Sequence, residues 1–220
     1  MEKNIKYPIT PLENDVNLKI YLIKKERLIY IQMKSELKYK LKKFFMRERR
    51  YMDITEDILF RNLSEQNITF DMVAEKIINW INQQPNKDYV LAIGTDSQTY
   101  SDTKIVLSIT LHRLYNGGIF FLHTMRQKAF KSNQLQQKLY TETQASLDAA
   151  NILIEKLKNH GLDIQNEPNI HLQIHMDIGK NGPTSKYIQE LEGWVRAVGY
   201  DCEIKPNSYA ASTIADRYSK

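Results

Sequence analysis

Four carboxylates stand in surroundings that ordinary surface acids avoid. Asp96 follows an apolar run in "YVLAIGTDSQTYS", and Asp177 closes a second one in "HLQIHMDIG". Glu142 lies in "LYTETQASLDAA", and Asp216 stands among small residues in "AASTIADRY". A carboxylate at the tip of a buried strand carries a large desolvation penalty unless something offsets it. Several carboxylates together repel one another and take up protons unless a cation neutralises them. Magnesium or manganese suits such oxygen-only donors. Two such ions roughly 3.5–4 Å apart activate a water and stabilise the leaving oxygen in phosphodiester cleavage. No His/Cys set with ligand spacing points to zinc instead. Asp96, Glu142, Asp177 and Asp216 are therefore the candidate metal ligands and catalytic residues.

The elements that must carry these acids follow from hydrophobic period. In "NITFDMVAEKIINWINQQPNKD", Thr69 can cap a helix whose inner side is Phe70, Val73, Ile77, Ile78 and Ile81, with Pro85 beyond its end. "YVLAIGTDS", "TKIVLSITLHRL" and "GIFFLHTMRQKAF" read as three strands. Their connections, "QTYSD" and "YNGG", are short enough to require an antiparallel meander. A long helix follows, "LQQKLYTETQASLDAANILIEKLKNHG", with Gly161 as its C-cap. Then come a strand, "NIHLQIHMDIG", a helix, "PTSKYIQELEGWVRAVG", with Pro183 near its first turn, and a fifth strand, "YDCEIKP". The chain closes on "NSYAASTIADRYSK", a short helix of small residues suited to close packing. A helical crossover makes the first and fourth strands parallel neighbours, so Asp96 and Asp177 should lie side by side. The helix bearing Glu142 can reach the same edge.

With the blocks "NLSEQNITF", "IGTDSQ", "YTETQASL", "HMDIGKNGPT" and "KPNSYAASTIADRYSK", the sequence resembles the YkuK family of ribonuclease H-like proteins, over roughly Asn62 to Lys220. The resemblance implies an α/β fold: a mixed five-stranded sheet, a three-stranded antiparallel meander plus parallel strands, flanked by helices. It implies acids on strand one, the first helix of the fold, strand four and a late helix, which fall on Asp96, Glu142, Asp177 and Asp216. It further implies that Asp96 bridges two ions and that Asp216 lies on the attacking-water side. The expected activity is hydrolysis of RNA or DNA with two magnesium or manganese ions. The alternative is a non-catalytic nucleic-acid or ribosome-associated binding protein on the same fold.

Charge supports an anionic partner. Of the 220 residues, those between Lys19 and Arg50 include twelve basic side chains against three acids, while the whole chain is only +5. Residues 1–60 are therefore read as a basic N-terminal extension, helical or hairpin-and-helix, and residues 61–220 as the ribonuclease H-like domain. Three readings of the basic stretch stand: nucleic-acid backbone, anionic lipid, or a solvated helix face. Around the acids, Ser97, Gln98, Lys205, Arg217 and Lys220 are candidate substrate contacts, each with an ordinary turn or solvated-cation reading beside it. His175 is either a proton shuttle or a satisfied core or surface histidine, and Trp80 and Trp194 read as core. The single cysteine, Cys202, excludes an internal disulfide and suits a reducing cytoplasm. No apolar run is long enough to span a membrane, and the first residues lack the apolar core of a signal peptide.

Overall fold

A computed structural model of the chain describes residues 54–114 and 116–220. The basic stretch between Lys19 and Arg50 lies outside the described residues.

The helix α1, Phe70–Asn82, starts where the Thr69 side chain accepts the Met72 N–H at 3.3 Å. It buries Phe70, Val73, Ala74, Ile77 and Ile81. Three long strands follow: β1, Tyr89–Thr99; β2, Asp102–Arg113; and β3, Gly118–Lys128. The 25-residue helix α2, Leu135–Asn159, leads to β4, Ile170–Met176. A 3₁₀ turn, Ser185–Tyr187, opens α3, Ile188–Val198, and β5, Asp201–Glu203, is a three-residue edge. Ala210–Ala215 coil as a π-helix that runs into a last α-helical turn, α4, Asp216–Ser219.

The sheet order is β3-β2-β1-β4-β5. β1, β2 and β3 form the antiparallel meander, whereas β1–β4 and β4–β5 are parallel. The expected mixed five-stranded sheet is therefore the observed one. One detail differs. Asp96 is not at the tip of β1, because the strand runs on to Thr99, with Asp96 opposite Val106 of β2. The reason is asymmetry between the two flanks. The parallel ladder with β4 stops at the Thr95–Met176 pair, while the antiparallel ladder with β2 continues to Thr99–Thr103. Asp96 is the first β1 residue with no β4 partner.

Alternation then sorts the two faces. Leu91 and Ile93 join Ile105, Leu107, Ile109, Ile174 and residues of α1 and α2 in the main core, which also takes in Ile54 and Phe60. The other face carries Gly94 and Ser108, on which the π-helix lies. Ser108 Oγ donates to the Ala210 carbonyl at 2.8 Å, and the Ala210 N–H donates to His175 Nδ1 at 3.1 Å. Val106, Leu122 and Ala215 form a small second cluster there.

Gly94 sets how closely that helix approaches. A Cβ at this position would sit 2.6 Å from the Ala211 nitrogen and 3.0 Å from the Ala210 carbonyl carbon, both backbone atoms that cannot swing aside. Gly94→Ala is expected to destabilise the domain by at least about 1–3 kcal/mol, as overpacking does. Gly193→Ala, in the exposed interior of α3 with open space around it, should instead stabilise by about 0.5–1 kcal/mol. Urea denaturation of both variants checks the contrast.

Candidate functional site

Where β4 ends, carboxylates from both faces meet. Asp96 points to the face of the C-terminal helix, and Ser219 Oγ donates to its Oδ2 at 2.7 Å. On the opposite face, Ser97 Oγ donates to Glu142 Oε1 at 2.7 Å, and Thr95 Oγ1 lies 2.9 Å from Ser146 Oγ, so β1 and α2 are stitched together just below the acids. Asp177 follows directly on β4. Lys205 Nζ lies 2.9 Å from its Oδ1 and 3.1 Å from its Oδ2, but only Oδ2 receives a well-angled hydrogen bond. Oδ1 is left buried without one. Asp216, on α4, is held by Lys220 Nζ at 2.7 Å.

Lys138, one turn before Glu142 on α2, completes the group. Its Nζ is 3.3 Å from Glu142 Oε1. Burial pulls its pKa down, but Glu142, Asp96 and Asp177 together outweigh that and hold the ammonium above its ordinary value. One cation thus feels three carboxylates. Asp96 is 4% exposed and Glu142 5% exposed. Burial raises the Asp96 pKa; Ser219 and Lys138 oppose the rise, and Asp177 and Asp216 add to it. Burial pushes Glu142 up to about 7, with Lys138 and Ser97 pulling back and Asp96 pushing further.

The donors suit a hard divalent cation in three respects: they are carboxylate oxygens, they repel one another, and Asp177 Oδ1 lacks a hydrogen bond. A cavity of about 10 Å³, the size of one water, is lined by Thr95, Glu142, Ser146 and Asp177 among others. Even so, among the described residues no three Asp, Glu, His or Cys side chains are arranged to hold one ion together. Lysines occupy the positions beside the oxygens.

Of the candidate substrate contacts, Ser97 and Gln98 line an opening next to Lys138. Lys205 and Lys220 pair with Asp177 and Asp216. Arg217 is exposed and makes no ion pair among the described residues. His175 is 1% exposed, its Nδ1 takes the Ala210 N–H, and burial holds its pKa down at about 4. It pins the π-helix. Sequence reasoning misses Lys138 and Ser219. The i, i+4 spacing of Lys138 and Glu142 is the available signal for the first; nothing local marks the second.

A ribonuclease H-like family model matches residues 72–220, from within α1 to the last turn. The chain belongs to that family. It is also 34% identical over 178 residues to the protein YkuK of Bacillus subtilis (strain 168), an alignment covering 76% of this chain and 100% of that protein. In this ribonuclease H-like chain no described helix is long and apolar enough to cross a membrane.

The raised pKa of Glu142 has a sign that can be measured. Between its ordinary 4.5 and about 7, the folded state holds a proton that the unfolded state has released, so this residue's contribution to stability falls as pH rises. Glu142→Gln removes that dependence. In chelated buffer the variant should gain on the wild type from about pH 4.5 to 7 and level off above, by at most about 3 kcal/mol. His175 works in the opposite direction over an overlapping range, but is common to both proteins and cancels in the difference. Urea denaturation at a series of pH values reads it.

Proposed function

We propose that the chain is a divalent-metal-dependent nuclease that hydrolyses phosphodiester bonds of RNA or DNA. Asp96, Glu142 and Asp177 would hold magnesium or manganese, with Asp216 beside them. The observation that carries this reading is the meeting of carboxylates from β1, β4 and α2 where β4 stops and β1 continues, all within electrostatic reach of Lys138. Two bound ions would supply an activated water and charge neutralisation at the phosphate.

The chain's own residues orient the rest. Ser219 fixes one oxygen of Asp96, leaving the other for a ligand. Ser97 and Lys138 both hold Oε1 of Glu142, which leaves Oε2 for a ligand. Lys138 is placed to offset the charge of a phosphate oxygen drawn toward the acids. Lys205 and Lys220, paired with Asp177 and Asp216, must release oxygens when a divalent ion enters. Ion binding and lysine pairing therefore compete.

Asp96→Asn keeps the shape and the Ser219 hydrogen bond but removes the charge. Its cleavage rate should fall by more than the roughly 10–100-fold drop that follows removal of an outer-shell partner of a metal ligand. Binding of a labelled oligonucleotide, followed by anisotropy, should stay within a few-fold of wild type. Cleavage at the wild-type rate by this variant, or by the wild type in excess EDTA, overturns the reading.

One observation favours the second reading, a non-catalytic nucleic-acid binder. Glu142, Asp177 and Asp216 each already have a lysine partner, so these three acids are compensated without an added cation. Calorimetric titration with manganese decides: saturable binding that disappears in Asp177→Asn supports the nuclease. No binding of manganese, with tight binding of nucleic acid, supports the binder. On either reading the basic stretch would neutralise further phosphates. Removing residues 1–50 should then flatten the dependence of log affinity on log salt by roughly 0.7–0.9 for each phosphate no longer neutralised.

A further inference from the structure

Beside the carboxylates lies a cavity of about 290 Å³, open to solvent, whose walls include Ser97 and Gln98 of β1, Phe130, Lys131 and Gln134 of the β3–α2 connection, and Lys138 of α2. It is continuous with the acidic group, because Ser97 and Lys138 belong to both. Each bonds Glu142 while lining the cavity.

The walls are braced. The Phe130 N–H donates to Thr103 Oγ1 at 3.1 Å, and Thr103 Oγ1 lies 2.8 Å from Thr99 Oγ1, which ties the aromatic residue to the end of the β1–β2 hairpin. The Lys131 N–H donates to Gln134 Oε1 at 2.7 Å, and Gln134 Nε2 donates to Gln137 Oε1 at 2.8 Å. Both ends of the Gln134 amide are thereby engaged. Gln98 borders the cavity from β1, its side chain alternating to the face that carries Asp96. The Lys131 side chain is exposed at the mouth.

A half-buried aromatic residue and a cation at the rim match a base face and a phosphate. We propose that this cavity takes one unpaired nucleobase, stacked on Phe130, with Lys131 meeting the adjoining phosphate. The substrate is then single-stranded nucleic acid; the inference rests on the nuclease reading for the identity of its ligand. A base inside a duplex has both faces stacked on its neighbours, so it offers Phe130 nothing. Stacking on an aromatic side chain also tolerates every base, so binding should depend on the presence of a base more than on its identity.

The test uses the full chain in EDTA, which separates binding from turnover, with a fluorescein-labelled single strand, the same strand carrying abasic sites, and its duplex. The base-bearing strand should bind about tenfold or more tighter than the abasic strand. Phe130→Ala should abolish that difference, and Phe130→Trp should keep it. A 2-aminopurine in the strand should be quenched on binding to wild type and not to Phe130→Ala. If Phe130→Ala does not fold by circular dichroism, Phe130→Leu, which keeps an apolar side chain but no ring, decides in its place against the two single strands. Equal affinity of wild type for base-bearing and abasic strands, or equal affinity for duplex and single strand, overturns the proposal. Base-dependent binding with no metal-dependent cleavage removes the nuclease reading and leaves this one. Cleavage of duplex with no base dependence does the reverse.

Discussion

Repulsion among carboxylates in a place where water cannot screen them is the constraint on which the rest of this structure depends. Asp96 and Glu142 are buried, and Asp177 and Asp216 stand close enough to raise the Asp96 pKa further. A group of that kind would push the sheet and its helices apart unless each charge were met. It is met piecemeal. Ser97 and Ser219 supply hydroxyl donors, Lys138 supplies a cation shared by three acids, and Lys205 and Lys220 each take one acid at the outside. Burial still wins for Glu142, whose carboxyl remains well above the usual carboxylate range.

The architecture creates the place where those charges can meet. Adjacent residues of a strand point to opposite faces, so Asp96 and Ser97 start on different sides of the sheet. Only where β4 has ended can a group from the C-terminal helix side approach one from α2. The early stop of β4 and the late stop of β1 are thus one device. On the C-terminal side, the bare backbone at Gly94 and the hydrogen bond to His175 bring the π-helix against the sheet, and Ser219 follows from that placement.

Much of this is legible in the residues. The period change after Pro85, the short meander connections and the crossover between β3 and β4 dictate the sheet order, because each is a local signal with few topological solutions. The cap at Thr69 reads correctly for the same reason, and Gly161 stands one residue past the C-cap His160, in the left-handed turn that ends α2. The position of Asp96 within its strand is not legible, since a strand that is paired longer on one flank than on the other leaves no mark in its own hydrophobic pattern. Ser219 is invisible for a related reason. A hydroxyl near the end of a short helix looks solvated until the helix is known to fold over β1. The lysine partners of Asp177 and Asp216 look like substrate contacts in the sequence, because charge alone does not reveal which neighbour a flexible cation takes. Phe130 draws no notice in a segment that reads as the end of the third strand. Its importance comes from the backbone hydrogen bond to Thr103, a residue 27 positions earlier.

The hydrogen bond from Ser219 to Asp96 spans 123 positions in the chain. Pairings so remote in sequence close late during folding, after the loop between them has given up its freedom. The meander and α2 can associate earlier through nearer neighbours, with Asp96 still hydrated on an uncovered face. Its charge is withdrawn from water only when the terminal segment docks, at the moment its compensating donor arrives. A partly folded chain therefore never has to carry that ion buried and alone, which spares the folding pathway a barrier that the finished domain would otherwise have imposed on it.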